Sequence, residues 1–383
     1  MLQLTTSQTI NTSNPFFFKA TGIKVYSFEE VLYHVYHYWR ESLDDFLSDQ
    51  MISWVSEIGH SYLASEMKKL IALEPFTKRI IDFLRLANYF SKPELDGLRT
   101  NLEAWEQRRE WEKLKERADH LAKRKEYSKA ITLYKRALKY EDNAVILNNL
   151  GIMHMNLSQT EEAFIALSRA LTLEPDNLSI LLHYTESAIL AGQYPLAEKA
   201  LNMATAKATE NPDIPFLHGL LAFSKKEFPK ALEFFATATQ KDPTEPHYVY
   251  KSVDAHLAMR QFEKALELLN NSTHHDAAHF IKEADIHESA QDIPAAILAM
   301  QKAIDINGDA PSAVLFARLA GYHRINKDNQ NAEEAIKKAL ELAPDNDIIL
   351  LENARIKKGL GRSKEYQTAL ADLLKGFKEK YRA

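Results

Sequence analysis

The sequence predicts an all-α chain in which about seven helix–turn–helix units stack as a solenoid behind a small helical domain. Three observations carry that prediction: a small residue recurs at a near-constant interval, apolar residues fall at helical spacing around it, and proline with Asp or Asn punctuates the intervals. The recurring alanines are Ala130, Ala163, Ala197, Ala231, Ala265, Ala296 and Ala332, separated by 33, 34, 34, 34, 31 and 36 residues. Four residues after each comes Tyr134, Leu167, Leu201, Phe235, Leu269, Met300 or Ile336. Three further on stands Ala137, Ala170, Ala204, Ala238, Ser272, Ala303 or Ala339. Steps of four and three lie on one face of an α-helix, so each segment is an amphipathic helix. Its small side chains admit a close neighbour.

Upstream of each such helix lies a partner whose eighth position is usually small: Ala118, Gly151, Thr185, Gly219, Val253, Ala284 and Ala320. The breaks after the pairs read EPDN at 174–177, NPD at 211–213, DPTEP at 242–246 and APDN at 343–346. Proline cannot continue a helix, and Asp or Asn caps the next one. A two-helix unit cannot bury its apolar face alone, so neighbouring units must stack. The units begin near 111, 144, 178, 212, 246, 277 and 313, and 347–383 reads as a degenerate eighth unit or capping helices.

Ahead of the repeats, residues 1–14 are polar and expected to be a flexible terminus, and FFFKATGIKVY predicts a short hairpin at 16–26. Ser27 and Glu30 form a capping box that opens a helix over 28–47. Further helices are expected at about 50–72, 75–90 and 93–125, so that 15–110 forms a small helical domain.

Composition narrows the function. Of 383 residues 45% are hydrophobic and 26% charged, which excludes wholesale disorder. The chain has no Cys, which removes disulfides, Cys-ligated zinc and thiol catalysis. A net charge of −5, with 12 Lys/Arg against 15 Asp/Glu in residues 1–110, gives no positive field for nucleic acid or an anionic membrane. No secretory signal or spanning segment is legible, so a cytoplasmic protein is expected. No Walker, dinucleotide-binding or nucleophile-elbow motif occurs, and Gly359-Leu360-Gly361 fits a turn between helices. Neither an enzyme nor a cofactor is expected.

Histidine supplies the remaining chemistry. His34 and His37 lie one turn apart among aromatics, as a metal pocket or, better, a buried helix face. His274, His275 and His279 approach metal-ligand spacing but straddle a loop and a helix start. His154, His256, His287 and His323 recur at the eleventh position of their units, which predicts core packing.

The pattern over 111–346 resembles the tetratricopeptide repeat family, most closely in the unit LNNLGIMHMNLSQTEEAFIALSRALTLEPDN. The resemblance implies a right-handed superhelix whose first helices line a concave groove through positions 2, 5, 6, 9, 12 and 13. Position 6 reads Glu116, Asn149, His183, Leu217, Lys251, Lys282 and Arg318. The candidate partner-binding residues are Asn148, Asn149, His183, Phe216, Leu217, Tyr250, Lys251, Asp254, Lys282, Asp285, Arg318 and Arg324. Asparagine amides suit the main chain of an extended peptide, Phe216 and Leu217 suit apolar contacts, and the Lys251/Lys282/Arg318 ladder suits an acidic or carboxylate-bearing segment. Some family members hold a carboxylate in a Lys/Asn clamp. Lys115 and Asn149 match two clamp positions, but Asp119, Ser179 and His183 replace the other partners. The implied function is an adaptor for a peptide or helix of another protein. The alternative is a bacterial peptide-sensing regulator whose front domain acts on a second partner, and an enzyme with its site in that domain is the third reading.

Overall fold

The computed structural model describes residues 14–306, 308 and 312–380, so the flexible terminus expected over 1–14 lies outside it except for Asn14. The chain divides into two compact units, Met1–Gln193 and Tyr194–Ala383.

The first unit opens on the expected hairpin, β1 (Phe16–Phe18) antiparallel to β2 (Ile23–Val25), with Phe16 opposite Val25. Gly22, at φ 72°, makes its turn. Helix α1 (Phe28–His37) starts at Ser27, whose side chain accepts from the Glu30 N–H. The single helix expected over 28–47 is instead broken at Tyr38, and α2 (Trp39–Ser42) follows. The break brings Ser42 Oγ to 3.0 Å from His34 Nδ1 and buries Trp39. The helix expected over 50–72 is likewise two, α3 (Asp49–Glu57) and α4 (Ser61–Leu70), because Gly59 between them sits at φ 94°. Helix α5 (Phe76–Leu84) is shorter than the expected 75–90. The helix expected over 93–125 separates into α6 (Lys92–Glu106) and α7 (Glu110–Lys123). There Arg109 is extended and its N–H reaches Glu112 Oε2 at 2.8 Å, so the chain restarts with its own cap. One aromatic core joins these elements, with Phe16, Phe18, Phe28, Phe83, Trp39, Trp54 and Trp105 all buried.

From α7 onward the helices come in pairs. Helix α7 packs on α8 (Tyr127–Ala137), and α9 (Ala144–Asn156) on α10 (Thr160–Leu173). Helix α11 (Leu178–Leu190) ends the first unit. The second unit starts with α12 (Tyr194–Lys207), followed by α13 (Asp213–Ser224) on α14 (Phe228–Lys241) and α15 (Pro246–Ala258) on α16 (Phe262–Asn270). Then come α17 (Ala277–Ser289) on α18 (Ile293–Ile306), α19 (Ala313–Ile325) on α20 (Asn329–Leu342), and α21 (Asp347–Gly359) on α22 (Ser363–Lys380). The fold is an all-α repeat fold apart from the small hairpin.

Burial follows the predicted periodicity. Ala130, Ala163, Ala197, Ala231, Ala265, Ala296 and Ala332 are all fully buried, and the large residue four later fills the space beside each. Complete burial of such a side chain contributes about 1.5–3 kcal/mol. Glycine at the eighth position is a steric requirement in two units. A Cβ on Gly151 would lie 2.4 Å from Leu167 Cγ, and one on Gly219 would lie 2.5 Å from the Phe235 ring.

The turn inside each pair is also conserved in form. One residue there takes positive φ: Lys125, Ser158, Gly192, Lys226, Arg260, Gln291, Lys327 and Gly361 in chain order. The next N–H then returns to the first helix, as in Glu126 to Leu121 O at 2.9 Å and Glu227 to Ala222 O at 2.8 Å. This left-handed closure satisfies carbonyls that a helix end leaves orphaned.

Candidate functional site

Each unit carries its own candidate face. In the first, Lys115, Glu116 and Asp119 stand on α7, Asn148 and Asn149 on α9, and His183 on α11. Asp119 is the hub. It accepts from the Tyr134 hydroxyl at 2.6 Å, from Lys115 Nζ at 2.7 Å and from Asn149 Nδ2 at 3.3 Å. Burial, reinforced by this carboxylate, pushes the Tyr134 phenol far above its ordinary pKa, so it stays a donor. Asn148 is buried, with its Oδ1 2.9 Å from His183 Nδ1. Glu116 binds two guanidinium groups, those of Arg40 and Arg108. Lys115 and Asn149 therefore face an acid of the protein itself where a clamp would need a basic or neutral side chain. Beside them lies a depression of about 450 Å³ lined by Arg108, Trp111, Lys115, Glu116, Asp119 and Asn143.

In the second unit the apolar candidates belong to the core. Phe216 and Leu217 are buried, Phe216 against Phe235, His247 and Tyr248. They stabilise the α13–α14–α15 contact, so the apolar ligand contacts expected of them have no exposed surface to form on. Tyr250 is buried as well, and its hydroxyl donates to Asp276 at 2.8 Å.

The cation ladder exists, interleaved with carboxylates. Lys251 lies 3.5 Å from Asp254, which also receives Lys282. Lys282 is 4.0 Å from Asp285, and Asp285 accepts from Arg318. Arg318 also donates to the Tyr322 hydroxyl at 2.7 Å, and that hydroxyl donates to Glu288 at 2.7 Å. Three cations meet three carboxylates across α15, α17 and α19. Such a chain orients its members and leaves little net charge to attract an anion.

The ladder ends at a feature the sequence reading passed over. Arg324 donates to Glu352 at 2.6 Å, and Arg355 lies 3.2 Å from the same carboxylate. Between α19 and α21, a hollow of about 240 Å³ is lined by Arg318, Arg324, Arg355, Ile325, Ile348 and Leu351. Ile325, Ile348 and Leu351 are 47%, 62% and 40% exposed. Ile348, Leu351, Glu352 and Arg355 occupy positions 2, 5, 6 and 9 of the unit beginning at 347. The position rule applied to the earlier units would have found them, had 347–383 not been set aside as an end cap.

Several histidines make internal contacts. His34 stacks on Phe18 with ring centres 3.6 Å apart, its Nε2 2.8 Å from Thr21 Oγ1. Ser42 Oγ gives its proton to Tyr38 O, so it accepts from His34 Nδ1–H, and Nε2 accepts from Thr21. Burial holds His34 down at a pKa of about 4, with the Arg124 charge adding to the effect. The periodic histidines do more than pack. His154 and His256 place Nδ1 2.6 and 2.9 Å from Gln159 and Gln261 Oε1, and each glutamine N–H returns to the histidine carbonyl. At His287 and His323 the residue five later is Asp292 or Asp328: its N–H makes the same return to the histidine carbonyl, while its carboxylate stands 3.9 or 3.3 Å from the ring Nδ1. His279 is buried with its ring 4.8 Å from that of His275. Among the described residues, no three His, Asp or Glu side chains converge as metal ligands. Among them, too, no helix is long and apolar enough to cross a membrane.

Comparison with known proteins places the repeats. The tetratricopeptide repeat family matches residues 115–177, 187–246 and 314–346. Over 143 residues the chain is 26% identical to the BBSome complex member BBS4 of Bos taurus, a match spanning 37% of this chain and 28% of that protein. A tetratricopeptide repeat protein from Parabacteroides merdae superposes with a TM-score of 0.47 at 17% identity, covering 65% of this chain and 98% of its own. Yeast Tom70 gives a TM-score of 0.33 at 17% identity, over 71% and 69% of the two chains.

Proposed function

Since tetratricopeptide repeats match this chain over 115–177, 187–246 and 314–346, we infer that it is a protein-interaction scaffold that takes an extended partner segment on the first helices of its last pairs. The observation that carries this reading is the hollow between α19 and α21. Exposed aliphatic side chains crowded together on a folded surface mark a place of contact. Here Ile325, Ile348 and Leu351 form an apolar patch, and beside it Arg324 and Arg355 share the one carboxylate of Glu352. The occupant that matches is an aliphatic side chain next to an acidic one. The paired ladder of Lys251, Asp254, Lys282, Asp285 and Arg318 continues the surface as a polar track that fixes register, its charges held in place before the ligand arrives.

Peptide display against the full-length protein tests this. The expected enrichment is a short motif with a bulky aliphatic residue beside Asp or Glu, bound by wild type and lost in Ile348→Asp. That residue is exposed, so the substitution leaves the fold intact. Selected peptides that bind Ile348→Asp as well as wild type would remove the hollow from consideration.

A further inference from the structure

A second cleft, sharing no residue with the surface above, lies inside the first unit where the β1–β2 turn and α2 meet α7 and α8. It measures about 280 Å³. Its lining includes apolar, acidic and basic side chains, the basic ones counting Lys19 and Lys129 besides two arginines. Leu121 and Leu133 are buried apolar walls, with Ala20 beside them. Glu41 and Asp44 present carboxylates. Arg117 and Arg136 present guanidinium groups.

The charges are unevenly satisfied. Arg117 is only 8% exposed, gives one N–H to Asp44 at 2.6 Å, and keeps its buried Nε without a partner. Glu41 is 4% exposed, and its recorded ion-pair contact is His120 Nδ1 at 3.5 Å, charged only when that ring is protonated. Arg136 is exposed at the rim, and its side chain has no hydrogen-bond or ion-pair partner among the described residues. A buried charge without full compensation is costly, so a ligand that completes these groups gains more here than at an open surface. Lys129 fixes the cleft's edge, donating to the Lys19 and Ala20 carbonyls at 2.7 and 3.2 Å.

We propose that this cleft binds a free aliphatic amino acid: its ammonium on the Glu41/Asp44 side, its carboxylate on Arg117 and Arg136, its side chain against Leu121 and Leu133. Three features choose that class. The volume is at the small end for ligand sites, too small for a peptide of several residues. Both signs of charge are present, which a simple anion or a simple amine leaves half unmatched. The apolar wall rejects a ligand without a hydrocarbon side chain. Because the cleft is built from the front domain and the first helix pair together, occupancy ties them to each other.

Isothermal titration of the full-length protein with four probes tests each contact: leucine, N-acetyl-leucine, leucinamide and glycine. Leucine is expected to bind, and each of the others to bind at least roughly tenfold more weakly, since each removes one matched group. Arg136→Gln, at an exposed position, is expected to weaken leucine roughly tenfold and to leave the melting temperature unchanged. Thr132→Tyr, at an exposed lining residue, is expected to fill the cleft and abolish the heat. Absence of any leucine signal at millimolar concentration overturns the proposal. So does binding of N-acetyl-leucine or leucinamide as tight as that of leucine, or unchanged leucine affinity in both variants.

Discussion

Residues 15–110 and the helix pairs after them exclude water by different means. The front domain gathers Phe16, Phe18, Phe28, Trp39, Trp54, Phe83 and Trp105 into one core, reached by helices of 4 to 15 residues set at irregular intervals. Each pair instead uses two small residues to bring helices close and one large residue to fill the gap, as Ala231, Phe235 and Ala238 do. The first design places many large side chains once. The second repeats one contact, with tolerance set by a methyl group. Loss of volume should therefore hurt the domain most, and gain of volume the pairs.

The largest expected effect is Phe83→Ala, which removes a fully buried ring from the front domain. It should cost about 3–5 kcal/mol, read by denaturant unfolding, with exchange protection lost across α1 to α5. A cost under about 1 kcal/mol would mean that this core is loosely packed.

Acid should act next, and on the same domain. His34 is held neutral, with its pKa near 4 in the fold and near 6.5 in the unfolded chain. Below pH 6.5 the unfolded state takes up a proton that the folded state refuses, so stability falls as pH drops toward 4. The loss approaches about 3 kcal/mol. Comparing the pH dependence of unfolding for wild type and His34→Gln isolates it, and identical curves would refute the assignment.

In the pairs, Gly219→Ala should cost about 1–3 kcal/mol, because the new Cβ meets the Phe235 ring. Its double mutant with Phe235→Leu should recover part of that cost, as two residues in one contact do not act independently. The smallest effect has the opposite sign. Lys226 sits at φ 63°, so Lys226→Gly should stabilise by about 0.5–1 kcal/mol in thermal melts, a conformation glycine adopts without a Cβ penalty.

The same contrast explains what could be read from the chain. A contact repeated seven times leaves a period, and the period picked out the alanines that are 0% exposed. It did not expose side-chain bookkeeping. Asp119 takes up both Lys115 and Asn149, and the ladder cations are each met by a carboxylate contributed by α15 or α17. Lys115–Asp119 and Lys251–Asp254 lie one helical turn apart, but the contacts of Asn149, Lys282 and Arg318 reach a neighbouring pair about thirty residues away and carry no local signal. In the front domain nothing repeats, so Tyr38, Gly59 and Arg109 had to be recognised singly as breaks, and three helices were read as continuous where the chain turns. The periodic histidines show the middle case. Their position was legible, while their grip on the residue five later depends on a turn geometry visible only in three dimensions.

Site-specific photocrosslinking tests the scaffold reading most directly. A photoreactive phenylalanine analogue is placed in the full-length chain at Leu351, in the hollow, and separately at Leu298, 62% exposed on α18 and outside it. Irradiation in the native cells should yield a discrete partner adduct from position 351, absent from position 298 and competed away by the display-selected peptide. Adducts that form equally from both positions, or that the peptide fails to displace, would contradict it.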